Sequence, residues 1–116
     1  LNSEDPPVGQ KITAVRGLSG DALPILSGLG GMHFLEELQR GADGVVTGFS
    51  FPEILLKVYA LHRQGEQEEA ARVFDRYCSL IRYEFQPLVA LALRKYTWRH
   101  HVRAIIERAR SRHILP

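Results

Sequence analysis

The run from Leu26 to Gly48 constrains the fold more than any other part of this chain. Leu26-Ser27 leads into Gly28-Leu29-Gly30-Gly31. Met32, Phe34, Leu35 and Leu38 then fall on one helical face, with Gly41 placed to stop the helix before the β-branched triplet Val45-Val46-Thr47. The spacing predicts a helix of about ten residues between two short strands. Strand, glycine-rich loop, helix, strand is the repeating unit of a parallel α/β protein. Parallel strands need covered faces and further neighbours, so one clear unit in a chain of this size implies others that belong beside it.

The flanks extend the pattern. Val8, Ile12, Val15 and Leu18 recur at helical spacing, with Gly17 and Gly20 available to end the turn. Leu23 to Leu26 reads as a short apolar strand whose Pro24 is tolerable near its start. Ser50 and Glu53 match a Ser-x-x-Glu capping box around Pro52, opening a helix that carries Ile54, Leu55, Val58, Tyr59 and Leu61 and stops at Gly65. From Glu66 to Gln86 the stripe Ala70, Val73, Phe74, Tyr77, Leu80, Ile81 and Phe85 predicts another helix. Beyond Pro87, Leu88 to Trp98 and Val102 to Ala109 read as two helices or one bent one.

Composition is that of an ordinary globular domain, 45% hydrophobic and 24% charged. No apolar stretch approaches the roughly 20 residues of a membrane helix, and the start lacks a signal-peptide pattern, so a cytoplasmic protein is expected, with Cys78 a buried, inert thiol. The opening, with Leu1 leading into Glu4-Asp5-Pro6-Pro7, reads as the exit from an element of something longer. The charge is uneven: Arg94, Lys95, Arg99, Arg103, Arg108, Arg110 and Arg112 face only Glu107. An amphipathic helix burying Leu91, Leu93, Trp98, Val102, Ile105 and Ile106 is favoured over a nucleic-acid surface built on the arginines, Tyr96 and Trp98. Adjacent Glu36 and Glu37 read as a solvated face, and Glu4 and Asp5 as a helix cap rather than substrate ligands. The Gly28–Gly31 loop reads as a close-packed turn rather than a phosphate cradle. His100 and His101 diverge on a helix and leave no metal site.

Taken together, Glu4-Asp5-Pro6-Pro7, Lys11-Ile12-Thr13, Gly28-Leu29-Gly30-Gly31, Glu36-Glu37-Leu38-Gln39-Arg40-Gly41-Ala42-Asp43-Gly44, Thr47-Gly48-Phe49 and Pro52-Glu53 resemble the C-terminal part of the dihydrodipicolinate synthase and N-acetylneuraminate lyase family. The tail with Arg94-Lys95-Tyr96 is similar to that family's helical extension. The resemblance implies an α/β fold, helix-rich as it stands. It would be the C-terminal portion of a (β/α)8 TIM barrel, about strands six to eight, over residues 1–65, with a C-terminal helical extension over 66–116. A whole barrel takes about 250 residues.

The resemblance also implies chemistry. Family members hold a 2-oxo acid of the pyruvate type as a Schiff base on a lysine at the end of strand six, where the iminium serves as an electron sink. In this chain that position is Asn2, whose amide lone pair is delocalised and forms no imine. Three accounts of Asn2 stand side by side: an inactivating replacement, a register offset near the chain start, and a protein that has left aldolase chemistry. Leu1, Ser3 and Glu4 offer no lysine either, and Lys11 lies in a helix past two prolines.

Gly28 matches a glycine lining the pocket floor, Val46 an apolar residue beside the substrate carbonyl, and Thr47 adds a hydroxyl at the rim. The plain alternatives are a loop glycine needing positive φ and a packed barrel residue. No metal or cofactor is implied. A lyase assembled as a homo-oligomer, away from membranes and nucleic acid, is the expected whole, with this chain inactive alone. A non-catalytic helical interaction module is the alternative, and a basic nucleic-acid binder the third reading.

Overall fold

The computed structural model describes residues 2–3 and 6–112; Glu4 and Asp5, read above as a cap, lie outside them. Three two-residue strands, β1 (Asn2–Ser3), β2 (Leu26–Ser27) and β3 (Gly44–Val45), form a parallel sheet in the order β1-β2-β3. Around them run five helices: α1 (Val8–Ser19), α2 (Phe34–Gln39), α3 (Pro52–Arg63), α4 (Gln67–Glu84) and α5 (Ala90–Ser111). Each strand-to-strand step contains one helix, as parallel pairing requires.

The register places Asn2 beside Leu26 and Leu26 beside Gly44, with Ser3, Ser27 and Val45 forming the next row. Side chains alternate along a strand, so the two rows belong to opposite faces. Ile25 and Ser27 are fully buried under the helices. Ile25 packs with Val8 and Ile12 of α1 and with Ala42, and Val45 packs on the larger core. On the other face Leu26 is half-buried and Val46 is 49% exposed. One face is therefore covered by helices, and the other is left open by the described residues.

The larger core joins Phe34, Leu35 and Leu38 of α2, Leu55 and Val58 of α3, and Ala70, Val73, Phe74 and Ile81 of α4, with Phe49 beneath the loop after β3. These are the stripes predicted from helical period. Gly65, with φ +83, ends the turn between α3 and α4 as expected.

Several local expectations change. The helix after β2 is only six residues long, because Leu29, Gly30 and Gly31 take positive φ values of 49, 67 and 85 and wind the chain the other way before Phe34. A Cβ on Gly30 would sit 2.6 Å from the Phe85 ring, so that position needs glycine for space as well as for φ. Gly28 itself has φ −119, and the positive-φ requirement falls on its neighbours. The capping box does not form. Pro52, lacking an N–H, occupies the first helical position, which leaves Phe51 as the cap with no side-chain bond and Ser50 one residue too early. The Ser50 N–H instead donates to Glu84 Oε2 at 2.9 Å.

Beyond Pro87 the chain makes a single helix. None of Leu91, Leu93, Trp98, Val102, Ile105 and Ile106 is buried, contrary to expectation, because α5 meets the body along another stripe. Arg94 Nη1 donates to Gly48 O at 3.1 Å, and the His101 ring stands edge-on to Phe51 with centroids 4.9 Å apart. Cys78 is half-buried at the margin of the larger core rather than fully enclosed.

The entry to the sheet is held by Asp43. Its N–H donates to Ile25 O at 2.7 Å, and its Oδ2 accepts the Ile25 N–H at 2.8 Å and Arg16 Nη2 at 2.7 Å. Arg16 also donates to Gly41 O and, at 3.2 Å, to Leu23 O, tying α1 to both approaches. The Ile25 N–H first, then Arg16, lowers the Asp43 carboxyl below its ordinary value. A lowered acid stabilises the fold fully above its unfolded-state value, and the contribution is lost as pH falls through the native one. Asp43→Ala should therefore cost about 1–2 kcal/mol at neutral pH, mostly from the orphaned Ile25 N–H rather than the solvent-screened ion pair. Urea unfolding should show that deficit narrowing as pH falls below the ordinary value of 3.8; a deficit unchanged with pH would contradict the assignment.

Candidate functional site at the carboxyl ends of the strands

In a parallel sheet all strands end at the same edge, and here that edge collects the residues singled out from the sequence. Asn2 lies in β1, in the row of Leu26 and Gly44. Gly28 and Val46 each follow a strand by one residue, so they lie on the same open face as Leu26, in the row beyond Ser27 and Val45. Gly28 is buried, and the Val46 N–H donates to Ser27 O at 2.8 Å, extending the pairing of β2 and β3 to the rim. Thr47 is half-buried and its hydroxyl is spent on the loops: it donates to Gly30 O at 2.8 Å and accepts the Phe49 N–H at 3.0 Å. The structure thus sets Gly28 and Val46 side by side just past the strand ends, two residues beyond the row of Asn2, and makes Thr47 the tie between the two loops behind them.

Helices α3 and α4 complete the edge. α3 leaves from the loop after β3, and α4 runs back, so the end of α4 and the start of α5 return to the strand ends. Glu84 there accepts the Ser50 N–H, Phe85 closes over Gly30, and Arg94 crowds Gly48 so closely that a side chain at Gly48 would collide with the guanidinium.

Two buried carboxyls at this end were missed from the sequence. Glu37, read above as solvated, is 1% exposed and accepts a hydrogen bond from the Ser27 hydroxyl; its neighbour Glu36 alone is exposed. Burial raises the Glu37 carboxyl above its ordinary value, against the smaller lowering by the Ser27 hydroxyl and His33 and with a further push from Glu36. Glu84 is equally buried. One oxygen of each carboxyl has no partner among the described residues. The signal was present as spacing: Glu37 stands three residues after Phe34, and Glu84 three after Ile81, both on the apolar stripe.

Two hollows flank the edge. One, of about 290 Å³, lies between the start of α1 and the Leu29 turn and is lined by Pro7, Val8, His33 and Glu37. The other, of about 350 Å³, lies beneath the outer edge of β3 between Phe34, Leu55, Leu56 and Tyr59. Among the described residues no three His, Cys, Asp or Glu side chains converge as metal ligands, and no helix is long and apolar enough to cross a membrane. Chemically, the edge supplies a buried glycine, an exposed valine and a braced pair of loops.

The raised Glu37 carboxyl sets a pH dependence opposite to that of Asp43. A buried acid with a raised native value stabilises the fold fully below its ordinary value, near 4.5, and that contribution is lost as pH rises through the native value. Glu37→Gln keeps an acceptor for Ser27 and removes the titration. Thermal midpoints between about pH 4 and pH 8 should show the variant gaining on the parent chain as pH rises; parallel profiles would mean that Glu37 titrates as a solvated acid.

No family model matches the chain. No curated protein matches it either. Among solved structures the chain superposes on the crystal structure of dihydrodipicolinate synthase from Rhodopseudomonas palustris with a TM-score of 0.80 and 42% sequence identity. The match covers 87% of this chain and 35% of that one, so this chain spans about a third of the length of the structure it resembles.

Proposed function

We propose that this chain is the C-terminal part of a dihydrodipicolinate synthase-like lyase. Residues 1–65 supply strands six to eight of a (β/α)8 barrel and 66–116 form the helical extension. The observation that carries the reading is the joint 42% identity and 0.80 TM-score, extending from the sheet through the helices beyond it. The three-stranded parallel sheet with one helix-covered face and one open face supports it, since an open row at the carboxyl ends of parallel strands is where a barrel enzyme places its site.

The whole protein then acts on a 2-oxo acid of the pyruvate type by Schiff-base chemistry, as a cytoplasmic homo-oligomer without cofactor. Gly28 forms the pocket floor, Val46 lies beside the substrate carbonyl, and the Thr47 hydroxyl braces the rim. Asn2 stands where the imine-forming amine belongs. A carboxamide cannot make that bond, so the chain as it stands performs no Schiff-base step.

A hybrid tests this. The chain is joined behind the preceding barrel units of the R. palustris synthase, once with Asn2 and once as Asn2→Lys. Borohydride reduction with pyruvate should trap a covalent adduct on the lysine form only. An adduct on the Asn2 form, or none on a folded lysine form, would overturn the assignment.

A further inference from the structure

The outer side of helix α5 takes no part in the strand-end edge. The helix's 22 residues include no buried one. Two adjacent ridges at four-residue spacing run along its outer side. Trp98, Val102 and Ile106 form an apolar ridge continued by Arg110, and Lys95, Arg99 and Arg103 form a basic ridge continued by Glu107. Between them lies a furrow of about 700 Å³ lined, among the described residues, by these side chains. Trp98 is 54% exposed and Ile106 37%. Among the described residues that line the furrow, the one acid, Glu107, is engaged by Arg103 at 3.3 Å.

We infer that this furrow is a docking site for an acidic amphipathic helix. A helix of the partner protein would lay an apolar row over Trp98, Val102 and Ile106 and set its glutamates or aspartates against Lys95 and Arg99. Ridge-into-groove packing is how one helix receives another, and i, i+4, i+8 spacing presents the ridge that such packing uses. Charge selects among occupants. A second copy of the same furrow would bring Lys95, Arg99 and Arg103 against their own duplicates, which disfavours self-pairing here. A nucleic acid would satisfy the basic ridge and leave Val102 and Ile106 uncovered. A bilayer surface is planar, whereas a slot between two ridges is filled by a rod.

Trp98 is the chain's one tryptophan, so its fluorescence reports the furrow directly. The intact chain is titrated with a synthetic amphipathic helical peptide bearing a leucine row flanked by glutamates. The controls are the same peptide with lysines for glutamates and the same composition with the leucine row scrambled. Saturable binding with a blue shift of Trp98 emission is expected for the acidic peptide alone, weakening with added salt. The double variant Lys95→Glu, Arg99→Glu touches exposed positions and should retain its circular dichroism. It should lose at least tenfold in affinity for the acidic peptide and gain affinity for the lysine peptide. Four results would overturn the inference: equal binding of the scrambled or lysine peptide, no change on charge reversal, tighter binding of duplex DNA or phosphatidylserine vesicles than of the acidic peptide, or a blue shift on concentrating the chain alone.

Discussion

The pairing of β2 with β3 is the constraint on which the rest of the molecule depends. Each strand contributes only two residues, so the register rests on the hydrogen bonds just outside them. Asp43 bonds Ile25 through both its N–H and its carboxylate at the entry, and Val46 bonds Ser27 at the exit. A slip of one residue would exchange the two faces of the sheet, sending Ile25 and Ser27 outward and Leu26 under the helices. The burial of Ile25 against Val8 and Ile12 opposes that slip, and so does the hydroxyl-carboxyl bond of Ser27 with Glu37. Backbone pairing, apolar burial and a single polar bond therefore specify the same register.

From this register the candidate edge follows. Glycine and valine continue the open face past the strand ends, and the loops that bear them are fixed from behind. Thr47 joins the two loops, Glu84 holds the Ser50 backbone, and Phe85 fills the space that Gly30 leaves. Placing carboxyls in a protein interior is costly unless they are hydrogen-bonded, and here Glu37 is bonded to Ser27 at the end of β2 and Glu84 to Ser50 in the loop before α3. They fasten helix α2 to β2 and helix α4 to the loop before α3.

Much of this was legible in the sequence because it rests on periodicity. The apolar stripes of α3 and α4, the Gly65 stop and the parallel order of the strands follow from spacing alone, and the comparison with a solved synthase agrees with the resemblance carried by the Leu26–Gly48 run. What was not legible depends on competition between local rules or on tertiary context. Ser50 and Glu53 satisfy a capping pattern, but Pro52 claims the first helical position and shifts the frame by one. Glu37 looks solvated beside Glu36, yet a single residue step turns it under the helix. The apolar side of α5 reads as core from its pattern, whereas burial also needs a surface to pack on, and the helix meets α4, Phe51 and the loop at Gly48 along another side.

The central claim, that Val46 belongs to the open row at the strand ends while its neighbour Val45 faces the helices, is most directly tested by thiol labelling. In a Cys78→Ala background, Val45→Cys and Val46→Cys are each treated with a water-soluble maleimide under native conditions. The cysteine at position 46 should react at a rate near that of an exposed thiol, and the one at position 45 should react more slowly by a factor of ten or more. Equal rates, or faster reaction at position 45, would contradict the register and with it the location of the site.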